Sequence, residues 1–125
     1  MNVALWIAAG LLAVVAFAGG LTKTFLPKQK LAAAHGGEWT ADFTPGFIKT
    51  LGVAELLAAL GLILPAVLDI LPIMVVVTAC AWILLMIGAM RTHARHHQPK
   101  LVAVNAIYLA LAVFIVVGRL ALEPF

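Results

Sequence analysis

Charged side chains are what this sequence lacks most. Asp, Glu, Lys and Arg make up only 10% of its 125 residues, whereas 65% are hydrophobic and the mean hydropathy is +1.15. A soluble domain of this size has too small an interior to bury so much apolar surface, so the composition excludes an ordinary soluble fold. We therefore expect lipid to be the solvent for most of the chain, and the length suits a single membrane domain, residues 1–125.

Cysteine and acidic residues are also scarce. Cys80 is the only cysteine, which excludes an internal disulfide. Five acidic residues against eight Lys and Arg give a formal net charge of +3. Because the basic residues lie at the ends of apolar runs rather than in one patch, they indicate membrane topology and not nucleic-acid binding.

Four apolar runs are long enough to cross a bilayer, which takes about 20 mostly apolar residues. The predicted spans are about residues 3–24, 46–65, 70–92 and 101–119. Pro65 and Pro72 bracket the second connection, which is so short that the second and third spans must be antiparallel neighbours. The predicted fold class is therefore all-α, a four-helix transmembrane bundle.

The distribution of basic residues predicts the orientation of the bundle. Seven of them flank the first and third connections, and only Arg119 lies on the opposite side. The seven are Lys23, Lys28, Lys30, Lys49, Arg91, Arg95 and Lys100. Since cytoplasmic loops carry the excess of Lys and Arg, we expect those two connections in the cytoplasm and both termini outside.

The first connection contains several local signals. Residues 27–35 suit one or two turns of surface helix, and Thr44-Pro45 is typical of an N-cap followed by the first helical residue. Trp39 and Phe43 are expected to be interfacial anchors rather than core residues. On the opposite side, Asp69, Arg119 and Glu123 are most simply interpreted as loop and terminus charges.

Glu55 interrupts the second span, six residues and about 9 Å past Lys49. A charged group at mid-span costs about 2.5–3.5 kcal/mol, and somewhat less at this depth. Gly52 and Ala59 share its helical face and are small enough for a neighbouring helix to approach closely. We therefore expect Glu55 to face the bundle interior beside a polar group of another span, with Lys23 the first choice.

Polar residues of all four spans reach a similar depth, in the half of the bundle predicted to be cytoplasmic. The candidate ligand-binding cluster consists of Lys23, Lys49, Glu55, Arg91, His93, Asn105 and Tyr108. It has three interpretations: a structural polar clamp, a pocket for a polar head group or redox-active lipid such as a quinone, and a proton-coupled transport site. No catalytic spacing supports a particular reaction.

Three histidines raise the possibility of a metal site. His93, His96 and His97 would share a helical face if the third span continued past Arg91. However, no carboxylate or cysteine lies nearby in the sequence to complete a ligand set, and Pro99 is close. A basic interfacial segment is the favoured interpretation, and no metal is predicted.

Four segments resemble the DoxX-like family of small four-helix integral membrane proteins. They are GGLTKTF closing the first span, FIKTLGVAELLAALGLILP in the second, LLMIGAMRTHARH ending the third, and GRL ending the fourth. The resemblance covers nearly the whole chain, and its matching positions are Lys23, Trp39, Lys49, Gly52, Glu55, Gly61, Pro65, His93 and Arg119. It implies a four-helix bundle in a bacterial inner membrane, and offers no agreed catalytic residue to transfer.

The resemblance also implies a redox context. The family takes its name from a membrane subunit of an archaeal thiosulfate:quinone oxidoreductase, and relatives occur in a membrane-associated oxidative-stress complex. The leading hypothesis is a non-enzymatic membrane subunit that binds a quinone or other lipid and scaffolds a redox or oxidative-stress partner, or a second copy of itself. The alternatives are a quinone-coupled oxidoreductase subunit and a small dimeric proton-coupled exporter. Small multidrug transporters place their key glutamate in the first span, which disfavours the exporter.

Overall fold

The computed structural model describes residues 1–125 and is all-α, with no strand. Its helices are α1 (Asn2–Phe25), α2 (Lys28–Ala33), α3 (Pro45–Val67), α4 (Ile73–Arg95) and α5 (Pro99–Val117). A 3₁₀ segment, Gly37–Asp42, lies between α2 and α3, and a π-helical turn, Gly118–Leu122, extends α5. The predicted all-α fold class is confirmed.

Four helices are long and apolar enough to cross a membrane, as predicted. They are Asn2–Phe25, Pro45–Val67, Ile73–Arg95 and Pro99–Leu122. The third span is displaced by three residues from the predicted range 70–92. Asp69 and Leu71 adopt left-handed backbone conformations with φ of 53° and 47°, so the chain reverses there and α4 begins only at Ile73.

The start of α3 follows the local sequence signal. Thr44 Oγ1 accepts a hydrogen bond from the Phe47 backbone N–H at 3.2 Å, and Pro45 occupies the first helical position. The end of α3 differs from the expectation, because Pro65 lies inside the last turn and the helix continues to Val67. The short α2 confirms the predicted surface helix in the first connection.

The four long helices close into a bundle in the order α1, α3, α4, α5. The two largest interfaces are those between α1 and α3 and between α4 and α5. Smaller contacts of α3 with α4 and of α1 with α5 complete the ring. The core between them contains Leu12, Leu62, Trp82 and Ile115, all at most 2% exposed. The outward faces are apolar, as expected of helices that face lipid.

The bundle has two unlike ends. The loop end carries residues 26–44 and the 96–98 turn, and the 3₁₀ segment there contacts α4. The terminal end carries the start of α1, the 68–72 turn and residues 118–125. Most of the basic side chains lie at the loop end, so the polar chemistry of the bundle is concentrated there.

Candidate functional site

The backbones of α1 and α3 nearly touch where glycines face the partner helix. A Cβ placed on Gly52 would lie 2.6 Å from the Thr24 backbone N and 2.9 Å from the Lys23 carbonyl carbon. A Cβ on Gly20 would lie 2.9 Å from the Gly52 carbonyl oxygen. Small residues at a helix interface allow such an approach. The close crossing brings the end of α1 within side-chain reach of Glu55.

Glu55 forms an ion pair with Lys23 across this crossing. The Lys23 Nζ lies 3.0 Å from Glu55 Oε2 and donates a hydrogen bond to Oε1 at 3.3 Å. The Glu55 side chain is 6% exposed and the Lys23 side chain 23%. A Cβ on Gly19 would lie 2.9 Å from Oε1, so this glycine leaves the space that the carboxylate occupies. The expected interior position of Glu55, with Lys23 as its partner, is confirmed.

One aromatic ring of the first connection lies beside the ammonium of the pair. Lys23 Nζ lies 5.6 Å from the centroid of the Trp39 ring, within the range of a cation–π interaction. Trp39 is 6.1 Å from Phe43 between ring centroids, and Phe43 stacks on Phe47 at 4.9 Å. Trp39 and Phe43 are half-buried and lie outside the central core. The 3₁₀ segment thus places an indole ring beside the partly exposed Lys23 ammonium.

Lys49 lies at the same end of the bundle but does not contact Glu55. Its Nζ donates a hydrogen bond to the Thr24 carbonyl oxygen at 3.1 Å, which ties α3 to the last turn of α1. Lys49 also borders a shallow, open depression on the outward face of α3, which points away from Glu55. Thr50, Val53, Ala54 and Leu57 form the rest of its lining. The depression is therefore polar at the loop end and apolar towards the middle of α3.

His93 belongs to a hydrogen-bond network that fastens the 3₁₀ segment to the α4–α5 turn. Its Nδ1 lies 2.8 Å from Gln98 Oε1. The Gln98 Nε2 donates to Glu38 Oε2 at 2.6 Å and to the Gly36 carbonyl oxygen at 3.2 Å. Neither Gln98 nor Glu38 was predicted as a site residue, because the two residues are 60 positions apart and nothing local links them.

The three histidines do not share a helical face. α4 ends at Arg95, and His97 adopts a left-handed conformation with φ of 56°. His96 Nε2 instead lies 3.0 Å from Asp42 Oδ1, and Arg95 Nη2 lies 3.9 Å from the other oxygen of that carboxylate. These contacts attach the far end of the 3₁₀ segment to α4.

The remaining predicted site residues stand apart from the ion pair. Arg91 is exposed and makes no side-chain hydrogen bond. Asn105 is half-buried and also makes none, while Tyr108 packs against the apolar core. The structure therefore brings Glu55 and Lys23 together, and the ligand-binding role of the seven-residue cluster stays a prediction.

Arg119 differs most from its sequence interpretation as a terminus charge. It is only 6% exposed, and its Nη1 donates to Asn2 Oδ1 at 2.7 Å and to the Glu123 carbonyl oxygen at 3.0 Å. Gly118, which precedes it, packs directly against Leu5 of α1. Gly118 was the only local signal in the sequence that this end of α5 lies close to α1, because a residue without a side chain permits a close helix contact.

The fold and the site define a multi-pass α-helical membrane protein with a buried carboxylate–lysine pair between two spans. The sequence profile of the DoxX-like family matches residues 7–115. The chain belongs to the DoxX-like family, which agrees with the resemblance seen in its sequence. It matches no curated protein and no solved structure.

Proposed function

We propose that this chain is a non-enzymatic membrane subunit that binds the head group of a quinone or lipid at its loop end. The observation that carries the proposal is that the Lys23 ammonium is held in place and yet partly exposed. It is fixed by the buried Glu55, yet the lysine side chain is 23% exposed and lies beside the Trp39 ring. An ammonium has three donors, and Glu55 has two oxygens to accept them. One donor is therefore free for a head group.

The chemistry of the surrounding groups suits a flat or anionic head group. A quinone carbonyl or a phosphate oxygen can accept the third Lys23 N–H, and the Trp39 ring offers a face for stacking. The lipid chain would then lie along the apolar outward faces of α1 and α3. Glu55 holds the ammonium in position and does not itself contact the ligand.

The proposed location is the bacterial cytoplasmic membrane, with the loop end in the cytoplasm, both termini outside and all 125 residues in one membrane domain. The excess of basic residues at the loop end supports this orientation. The partner that the subunit scaffolds, a redox or oxidative-stress protein, would then dock on the cytoplasmic side.

The two alternative functions use the same ion pair differently. A quinone-coupled oxidoreductase subunit would place its reaction at the Lys23 head-group position. A proton-coupled exporter requires the Glu55 carboxylate to be released and reprotonated in each transport cycle. Since Lys23 of the same chain engages Glu55 at 3.0 Å, the geometry gives the exporter less support.

Co-purification tests the proposal. The protein is purified in mild detergent, and its retained quinones, lipids and proteins are identified by mass spectrometry, together with variants Trp39→Leu and Phe17→Leu. Trp39→Leu removes the ring beside Lys23 and leaves the ion pair, whereas Phe17 is an exposed aromatic residue of α1 and serves as the control. We expect Trp39→Leu to lower the retained ligand severalfold and Phe17→Leu to leave it unchanged. Equal retention in all three proteins contradicts the proposal.

A further inference from the structure

Arg119, at the terminal end, is a buried cation that forms no salt bridge within the chain. Its two hydrogen bonds go to neutral oxygens, Asn2 Oδ1 and the Glu123 backbone carbonyl, and both come from Nη1. No carboxylate oxygen lies within 4.0 Å of its guanidinium. Nε and Nη2 make no hydrogen bond within the chain. Buried charges in proteins are ordinarily paired, so this arrangement leaves donors and charge available.

The neighbourhood of Arg119 adds positive potential. Asn2 is the first residue of α1, and the first turn of that helix contains no acidic residue and no side-chain cap. The unsatisfied backbone N–H groups of a helix N-terminus carry a partial positive charge. The guanidinium therefore lies beside a helix end of the same sign. The Glu123 carboxylate acts on it only from beyond 4.0 Å, so an anion bound between the guanidinium and the helix end would stabilise both.

A small apolar cavity adjoins the guanidinium. It has a volume of about 10 Å³, and its lining includes Leu5, Trp6, Leu62 and Phe125 beside Arg119. The Phe125 ring lies over the guanidinium at 4.1 Å from Arg119 Cζ and is itself half exposed. Displacing this ring would uncover the face of the guanidinium and widen the opening of the cavity.

The depth of Arg119 matches the head-group region of a bilayer. It follows Lys100 by nineteen residues, which is about 28 Å along a helix and close to the thickness of the hydrocarbon. The π-helical turn at Gly118–Leu122 ends α5 here, and residues 123–125 continue without regular structure. π-Helical turns often occur at functional sites.

We propose that Arg119 and the N-terminus of α1 form a second ligand site, for the oxoanion head group of a membrane amphiphile. A phosphate or carboxylate oxygen accepts the free Nε and Nη2 donors, and the acyl chain of the amphiphile takes the place of Phe125 over the apolar cavity. Phe125 closes the site when no amphiphile is bound. This site is independent of the Lys23 position, which lies at the other end of the bundle.

Native mass spectrometry of the purified full chain titrated with phosphatidylglycerol tests the proposal. Arg119→Gln should weaken the binding of one phosphatidylglycerol roughly tenfold, as expected for loss of charge-assisted hydrogen bonds. Lys100→Gln, which changes an exposed lysine of the same helix with no hydrogen bond, should bind like the wild type. Phe125→Ala should bind more tightly, because it removes the competing ring and keeps Arg119.

Two controls define the outcomes that overturn the proposal. Equal affinity of the wild type and Arg119→Gln for phosphatidylglycerol contradicts the proposal. An unchanged or weaker affinity of Phe125→Ala also contradicts it. The Phe125→Ala measurement decides the question even if Arg119→Gln does not fold. Titration with inorganic phosphate separates the two sources of an oxoanion. Displacement of phosphatidylglycerol only by other anionic lipids supports the amphiphile, whereas a site filled by millimolar phosphate and not by phosphatidylglycerol overturns it.

Discussion

The Lys23 ammonium lies 3.0 Å from the Glu55 carboxylate, across the point where α1 and α3 approach through facing glycines. The pair thus joins the two helices that pack most extensively in the bundle. A clamp and a head-group site are compatible in this geometry, because the carboxylate fixes the ammonium from inside the bundle while the lysine stays partly exposed.

Single substitutions of the ion pair should destabilise the bundle more than the double substitution. Lys23→Met leaves a carboxylate buried without a counter-charge and should cost about 3 kcal/mol, the lower end for a broken buried pair. Glu55→Met should cost less, because the long Lys23 side chain can reach the interface. The double variant should recover most of the loss. Unfolding in mixed micelles of increasing SDS content measures the stability of the three variants. If the stability losses of the two single variants simply add in the double variant, the two residues do not form a direct clamp.

Gly52→Ala should weaken the α1–α3 crossing by about 1–3 kcal/mol. The added methyl would meet backbone atoms of Lys23 and Thr24 at 2.6–2.9 Å, and backbone cannot rotate away as a side chain can. Gly88→Ala is the matched control in α4, since a Cβ there has no neighbour within 4 Å. That variant should be neutral or slightly more stable. Thermal unfolding in detergent compares the stability of the two variants. Equal changes in stability would show that the close α1–α3 crossing does not contribute to the stability of the bundle.

Gln98→Leu should loosen the 3₁₀ segment without unfolding the bundle. It removes the donor to Glu38 and Gly36 and the acceptor beside His93, each of which contributes on the order of 1 kcal/mol. We expect amide hydrogen exchange in residues 37–42 to accelerate about tenfold. Gln29→Leu, at an exposed glutamine of α2, is the control and should exchange as the wild type does. Unchanged exchange in Gln98→Leu would show that the network does not hold the segment.

Cysteine labelling in intact cells should place the loop end inside. In a Cys80→Ala background, Gln29→Cys should react only after permeabilisation and Pro124→Cys should react with a membrane-impermeant reagent directly. The reason is the accumulation of basic residues around the loop end. Labelling of Gln29→Cys from outside would reverse the proposed orientation.

The sequence allowed the ion pair to be predicted because a carboxylate deep in a span needs a partner, and Lys23 ends the neighbouring span at a suitable depth. It could not place Asn105 and Tyr108, for a physical reason. Transmembrane helices are apolar on all sides, so the position of a polar residue along its span gives its depth, but no amphipathic periodicity indicates the direction it faces. Neither residue forms a hydrogen bond with Glu55.

The burial of Arg119 was unpredictable for a related reason. It depends on contact between residues 2 and 119, at opposite ends of the sequence, and on the way residues 123–125 fold back over the guanidinium. Neither is encoded in a local pattern. The same holds for the link between Gln98 and Glu38, which exists only because the first connection packs against the α4–α5 turn.

The most direct test of the central claim is the amount of quinone or lipid that Glu55→Gln retains after purification. Glutamine keeps the size of the side chain but removes the charge that fixes the Lys23 ammonium. We predict that Glu55→Gln folds but has lost the quinone or lipid that Trp39→Leu also releases. The Lys23→Met/Glu55→Met double variant should be stable and should likewise retain none of this ligand. A folded Glu55→Gln protein that retains the wild-type amount of this ligand would contradict the head-group site and leave the pair as a structural clamp alone.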